Sequence, residues 1–538
     1  MNHFLFLCIF LTTNVFAFKL SNTQKLQDLE QLSSYIQSGY GPLKYKEKNL
    51  NIYLDKLKEK YSKKISNTRS NGEFYYDIVK FIAEFKDGHF SAKIKTDHKA
   101  YAGFIVNYVN EKVLIDSIDR EQLPKDKFEF EKGDEVVEVD GVAIEKFLNK
   151  YSKYVASGYA LTSKAIAAYY VSSRKGNRVP VPTSKNLLLK IRKGTSNIIE
   201  EVSVDWKFTG TPLDEYKDFG NEESSFLAKK SSKSNLYNLS ISQKFNDILG
   251  DKIDATYHCN GDTRIAYPKD ATIIMKKPFV AYYHKTAKGN VGYLRIPHYS
   301  PKNKDTGKEE FKLRFEQYEY AISELEKNTV GLIIDQDHNC GGSVTYLQQI
   351  VSLFISKETL PMQFKLLANK SEYLGFKSWL DETNEFTLEH QAIKQVTTLV
   401  KDAWINDLFM TKMTSISGLE FISPNQIRYT KPIVMLIDKM SGSGGDAFPS
   451  LMGGIGRATL FGERTMGLGG HVEEQPNLNN SQIKVRMTKS LFFRPDGVAV
   501  ENNGAVPDIN YSITRNDFLY KFKDYQKAYL KVLLEKIK

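Results

Sequence analysis

Ser443 is the side chain in this sequence best placed to act as a nucleophile. Ile433–Ile437 is a continuous apolar run of the length of a buried strand. It leads through Asp438-Lys439-Met440 into Ser441-Gly442-Ser443-Gly444-Gly445-Asp446, and Ala447-Phe448 with Leu451-Met452 follow at helical spacing. A strand, a glycine-rich corner and a helix start set a small polar side chain on a tight turn. The helix N-terminus there offers free N–H donors and the positive end of its dipole. A serine at such a corner can attack a carbonyl, and the N–H after it can hold the oxyanion that forms. The same letters also spell an ordinary Gly/Ser turn. They are not the G-x-S-x-G elbow, because Ser441 stands two positions before Ser443. His89, in Asp87-Gly88-His89-Phe90, is by itself a surface or structural histidine until a partner is found. The chain has no H-E-x-x-H spacing, and Cys259 and Cys340 are too isolated to suggest zinc, so neither a metal nor a cofactor is expected.

The elements that must position these residues follow from periodicity. Residues 18–98 read as a helical N-terminal region, with apolar spacing through Tyr75, Ile78, Val79, Ile82 and Phe85 and Gly88 as the helix stop. His89 then leaves that helix ahead of a short strand, Ser91–Lys95. Residues 99–206 change to strands, Gly103–Val106, Val113–Ile115 and Glu135–Val139, the last between Lys132-Gly133-Asp134 and the turn Asp140-Gly141. The run "KGDEVVEVDGVAI" behind a glycine-containing loop resembles a PDZ domain, with a helical insertion over Leu148–Ser173. The resemblance implies that Gly103 and Phe104 stand in the loop that binds a peptide carboxylate, the peptide adding as a strand. Residues 207–289 read as a variable insertion with a polar loop, Ser224–Asn238. From residue 290 to 515 strands and helices alternate: Gly292–Ile296, Phe311–Leu325, Val330–Asp335, Val344–Ile355. This is the rhythm of a partly parallel sheet. Ile433–Ile437 belongs to that sheet, Ala458–Gly462 and Ile483–Met487 add strands, and residues 516–538 form a C-terminal helix.

The chain as a whole narrows the function classes. A length of 538 residues allows about two to four domains. Charged residues are 26% and the net charge is +11, but the lysines are spread out, without a basic block interleaved with aromatics. Nucleic acid is therefore not the expected partner. Phe4–Phe16 is too short an apolar run to span a bilayer; ahead of Val15-Phe16-Ala17 it reads as a signal peptide over residues 1–17, although no Lys or Arg precedes it. The expectation is export to the periplasm or outside the cell, with no stable membrane span. A bridge between Cys259 and Cys340 stays open, as does the oligomeric state.

Four stretches occur in order behind the PDZ-like segment: "VGYLRI", "LIIDQDHNCGG", "KMSGSGGDAFPSLMGGIGRATLFGERTMG" and "DGVAVENNGAVPDINY". Together they resemble the C-terminal processing (tail-specific) serine peptidases, a family that includes tricorn protease and the interphotoreceptor retinoid-binding proteins. The resemblance implies an α/β fold with a crotonase- or ClpP-like protease core. It implies Ser443 as nucleophile, with oxyanion donors from Gly444 and from Gly341 or Gly342. Tail-specific members place a general-base lysine in Thr-x-Gly-Lys-Gly; here Thr465-Met466-Gly467-Leu468-Gly469 puts Leu468 at that position, and leucine takes no proton. The tricorn-like branch uses Ser, His and Glu. The motif around His89 and the segment beginning at Glu501 resemble that branch, with Ala505-Val506 as a small departure. The expectation is a serine endopeptidase acting on proteins or peptides through an acyl-enzyme. Lys439 and His338 are the rival bases, and a catalytically inactive peptidase-like binding or scaffold protein is the rival function. Acyl-CoA chemistry on the same core is disfavoured by the signal peptide and the PDZ-like segment.

Overall fold

A computed structural model describes residues 19–537, apart from 195, 216–237, 241–264, 302–309, 384, 386–387 and 418. The signal-peptide reading and Cys259 lie outside the described residues. At the centre is a seven-stranded sheet in the order Thr272–Met275, Ala281–Thr286, Gly289–Arg295, Gly331–Asp335, Ile433–Ile437, Thr459–Gly462, Ile509–Asn510. The first three strands are antiparallel neighbours, and every pairing from Gly289–Arg295 onward is parallel. Gly331–Asp335 and Ile433–Ile437 are buried along their whole length, which is why both read as unbroken apolar runs rather than alternating ones. Helices Phe311–Asn328, Val344–Ser352 and Gly444–Gly454 pack over one face with Leu294, Leu332, Ile334 and Met435. The other face, with Ile333, Val434, Leu436 and Phe461, is closed by Tyr525, Tyr529 and Leu533 of Lys523–Lys536.

The sheet begins earlier than residue 290. Thr272–Met275 and Ala281–Thr286, inside the segment expected as an insertion, are its first two strands, because a hairpin pairing Thr286 with Gly289 folds them onto Gly289–Arg295. Lys207–Thr209 likewise pairs with Lys99–Tyr101. The C-terminal helix is two helices, Arg515–Leu519 and Lys523–Lys536, broken where Lys521 and Phe522 adopt positive φ of 55° and 58°.

Residues 104–205 build a second sheet in the order Phe104–Val109, Lys112–Ile118, Glu135–Val139, Asn186–Arg192, Ile199–Asp205, with helices Ile144–Ser152 and Ala160–Tyr169 beside it. The N-terminal region holds four helices: α1 (Asn22–Gly39), α2 (Leu43–Leu50), α3 (Leu54–Ile65) and α4 (Asn71–Ala83). α4 ends at Ala83, and the turn is made by Lys86 at φ 52° rather than by Gly88. Gly88 is needed for space instead: a Cβ there would sit 2.5 Å from Leu468 Cδ2. Ser91–Lys93 pairs antiparallel with Lys484–Arg486, which itself pairs with Val472–Gln475 in a separate three-stranded sheet. That pairing draws the chain around His89 into the interior. Among the described residues no helix is long and apolar enough to cross a membrane.

Candidate active site

The nucleophile loop follows the parallel strand Ile433–Ile437, and Ser443 is the last residue before helix Gly444–Gly454. Ser443 has φ 63° and ψ −113°, a conformation rare for a side-chain-bearing residue and one that costs on the order of 1–3 kcal/mol. The surroundings hold it there. Asp446 accepts the N–H of Ser443 (2.7 Å) and of Leu468 (2.9 Å) on one oxygen; the other takes the N–H of Gly467 (2.8 Å) and the hydroxyl of Thr465. One buried carboxylate thus ties the nucleophile loop to the Thr465–Leu468 turn. Burial pushes the Asp446 carboxyl up to about 6, and its four donors pull it back down. Ser443 is itself wholly buried, and its Oγ makes no hydrogen bond.

The second glycine loop lies directly against this corner. A Cβ on Gly444 would meet Gly341 Cα at 3.0 Å and Gly342 N at 3.1 Å. Gly442 N–H donates to the Asn339 carbonyl (2.9 Å), and Asn339 side-chain N–H donates to Ile296 O (2.7 Å), stitching the loops to the sheet. Gly341 N–H is taken by Asn339 Oδ1 (2.8 Å). Gly341 N–H is therefore engaged within its own loop. Asn238–Ser240 pairs antiparallel with Gly341–Ser343 beside it. Cys340 within this loop is disulfide-bonded.

His89 is 4% exposed, and its N–H donates to Asp87 Oδ1 (2.8 Å). Asp87 Oδ2 accepts from Tyr40 (2.9 Å) and Thr488 (2.7 Å). Against the opposing pull of burial, Lys46, His89 and these donors hold the Asp87 carboxyl below its ordinary value. Glu501 is fully buried, with one oxygen accepting Gly469 N–H (3.0 Å) and the other Lys46 Nζ. Leu468 connects the three candidates: its side chain packs on Gly88 beside His89, its N–H meets the Asp446 that holds Ser443, and Gly469 after it binds Glu501. Burial and the Asp87 charge raise the Glu501 carboxyl to about 8, against the lowering effect of Lys46.

Lys46 is the member of this cluster that reading the sequence missed. The signal was present: Lys46 follows Leu43 by one helical turn, on the buried face of α2. The rivals are occupied elsewhere. Lys439 Nζ pairs with Glu463 (2.6 Å), and His338 Nδ1 faces Asp438. His471, hydrogen-bonded to Ser490 (2.7 Å), is pushed down to about 3 by burial and by Lys489 and His89. No group of three or more His, Cys, Asp or Glu among the described residues could hold a metal ion.

In the loop expected to bind a peptide carboxylate, Gly103 has φ 84° and its carbonyl accepts Asp119 N–H (2.8 Å). The Phe104 side chain is fully buried against Phe130, so only its backbone is open to recognition. Phe104–Val109 is the terminal strand of its sheet and lies beside helix Ala160–Tyr169, with the Tyr169 hydroxyl bonded to Asn107 (3.1 Å).

Residues 290–511 match the model of peptidase family S41, and residues 98–216 match a PDZ domain. A protein of Chlamydia pneumoniae is 26% identical over 575 residues, 96% of this chain and 91% of that protein. A protein of Chlamydia trachomatis serovar D is 26% identical over 569 residues, 95% of this chain and 92% of that protein. Among solved structures, mature CPAF shares the fold with a TM-score of 0.79 at 23% identity, covering 96% of this chain and 98% of that one. Mature CPAF complexed with lactacystin has a TM-score of 0.77 at 24% identity, covering 96% and 99%.

Proposed function

We propose that this chain, a serine-type peptidase whose residues 290–511 match peptidase family S41 and whose residues 98–216 match a PDZ domain, is an exported endopeptidase working through an acyl-enzyme on Ser443. In this reading His89 takes the proton from Ser443 Oγ as the oxygen attacks the scissile carbonyl. The N–H groups of Gly444 and Gly342 hold the oxyanion, and His89 returns the proton to the leaving amine. Water then repeats the sequence on the acyl-enzyme. Glu501 supports the imidazolium, the role of the third member in a Ser/His/acid triad. The observation that carries the reading is the backbone of Ser443: a strained residue at a helix N-terminus, its Oγ without a hydrogen bond, on a corner packed against the Gly341–Gly342 loop. Leu468 at the lysine position of the tail-specific motif favours the tricorn-like Ser/His/Glu assignment.

The PDZ domain recruits substrate by strand addition along Phe104–Val109, with backbone around Gly103 meeting the peptide terminus. The terminal position of that strand supports this, and full-length Ser443→Ala protein tests it. Peptides with free C-termini should bind more tightly than their amidated forms; equal affinity would remove the carboxylate part. Export rests on the Phe4–Phe16 run with cleavage after Ala17, and the disulfide at Cys340 fits an oxidising compartment. Exported protein still beginning at Met1 would contradict the cleavage. The activity itself is tested with a fluorophosphonate probe, which labels only an activated serine. Labelling at Ser443, lost in Ser443→Ala and His89→Ala, is expected, whereas an unlabelled wild-type protein would point to the binding-protein alternative.

A further inference from the structure

We propose that Lys46 is a positioning residue of this peptidase: it ties helix α2 to the Glu501 carboxylate and favours its ionised form for its work beside His89. The proposal rests on the reading of His89 and Glu501 given above.

Lys46 is wholly buried on α2, a helix of the N-terminal region more than 450 residues away in sequence from Glu501. Its ammonium has three donors, and three acceptors meet it: Glu501 Oε1, Asn502 Oδ1 (2.6 Å) and Lys86 O (3.3 Å). The neighbouring Tyr45 hydroxyl donates to the Glu501 carbonyl (2.9 Å), and Asn502 side-chain N–H returns to Lys86 O (2.7 Å). α2 therefore grips both ends of Glu501 and, through Lys86, the turn that leads to His89.

Charge balance explains why a lysine is required. Two fully buried carboxylates, Asp87 and Glu501, lie close enough for the Asp87 charge to raise the proton affinity of Glu501. With Lys46 charged and both acids ionised, the cluster carries one net negative charge. That charge is neutralised when His89 accepts the proton of Ser443. Without Lys46, two buried negative charges would face each other, and one of them would take up a proton. Glu501 is the one that yields, because Asp87 accepts from Tyr40, Thr488 and the N–H of His89, whereas among the described residues Glu501 would keep Gly469 N–H alone. The other titratable or charged groups around the cluster are Tyr40, Tyr45, His89, His471 and Arg464, whose guanidinium donates to Asn502 O (2.8 Å).

The test uses full-length protein and the rate of Ser443 acylation by a fluorophosphonate probe as a function of pH. Lys46→Met should move the rising limb of the profile to higher pH, each unit of displacement costing about tenfold in rate below the limb. At alkaline pH the rate should recover toward wild type. Lys46→Arg, which keeps the charge, should leave the limb where it is. In the double variant Lys46→Met/Glu501→Gln, acylation should be no slower than in Glu501→Gln alone, because Lys46 acts through Glu501. A uniform loss at every pH with the limb unmoved, or losses that multiply in the double variant, would overturn the proposal. If Lys46→Met does not fold, Lys46→Gln, which still donates a hydrogen bond but carries no charge, applies the same criteria. A rate indifferent to Glu501→Gln would instead remove the reading on which the proposal rests.

Discussion

In the proposed triad, Leu468 stands where a lysine base would be: its side chain packs on Gly88 beside His89, and Gly469 after it donates its N–H to Glu501. Proton transfer then depends on His89. Ser443→Ala and His89→Ala should each lower kcat by about 10⁴ or more while leaving the circular dichroism spectrum unchanged. Glu501→Gln should cost less than either, since the proton acceptor remains. An active His89→Ala enzyme together with an inactive Lys439→Ala would transfer the role of base to Lys439. The pH dependence follows from Glu501, whose carboxyl is pushed from its ordinary 4.5 up to about 8. The ionised form is the competent one, so kcat/KM should rise with pH along a limb displaced above the ordinary histidine value of about 6.5 toward 8. A limb at or below 6 would speak against the carboxylate's part. The same shift has a sign for stability. The native state binds this proton more tightly than the unfolded chain, so Glu501's contribution, full below about 4.5, is lost as pH climbs through about 8.

At the level of elements, the active site is a meeting of turns, and two contacts decide whether they meet. The first is Gly88 against Leu468. Gly88→Ala forces a Cβ to within 2.5 Å of Leu468 Cδ2 and should destabilise the protein by about 1–3 kcal/mol in urea titrations. Leu468→Ala in the same chain should restore part of that loss, because it removes the atom that is struck. Independent, additive losses would show that the contact is not the cause. The second is Asp446. Asp446→Ala strands the buried N–H groups of Ser443, Gly467 and Leu468. At about 1–3 kcal/mol for each unsatisfied donor, the loss should be several kcal/mol, with fluorophosphonate labelling abolished in whatever folds. Labelling that persisted in a stable Asp446→Ala protein would mean that the Ser443 conformation does not need it.

Across the whole molecule, the PDZ region and the protease core are not two beads on a string. Met440, Met466, Leu468 and Cys340 from the active-site loops share one buried cluster with Phe104, Ile166, Leu189 and Trp206. The Thr162 hydroxyl donates to Lys439 O (2.6 Å), one further tie between the helix beside Phe104–Val109 and the loop that carries Ser443. Unfolding should therefore be shared. Trp206 is one of three tryptophans, so replacing Trp379 and Trp404 by Phe leaves it as the sole tryptophan, whose selectively excited emission reports on the PDZ region. Its urea midpoint should coincide with that of fluorophosphonate labelling. A Trp206 transition complete at lower urea, with labelling intact, would show the two parts to be energetically separate.

The sequence by itself determined the elements whose patterns are local. The buried runs Gly331–Asp335 and Ile433–Ile437, the Asn339–Gly342 loop and the serine corner are legible because consecutive residues report their own surroundings. The ordered motifs were enough to indicate the peptidase family and the PDZ domain. Tertiary structure alone decided that Thr272–Met275 and Ala281–Thr286 enter the central sheet, since hairpin pairing outweighed the polar composition around them. It alone set the Asn339 amide oxygen on Gly341 N–H, a side-chain direction that no pattern encodes. It also revealed Lys46 as part of the site. A lysine on the apolar face of an eight-residue helix looks like an interruption until the carboxylate that neutralises it arrives from the far end of the chain.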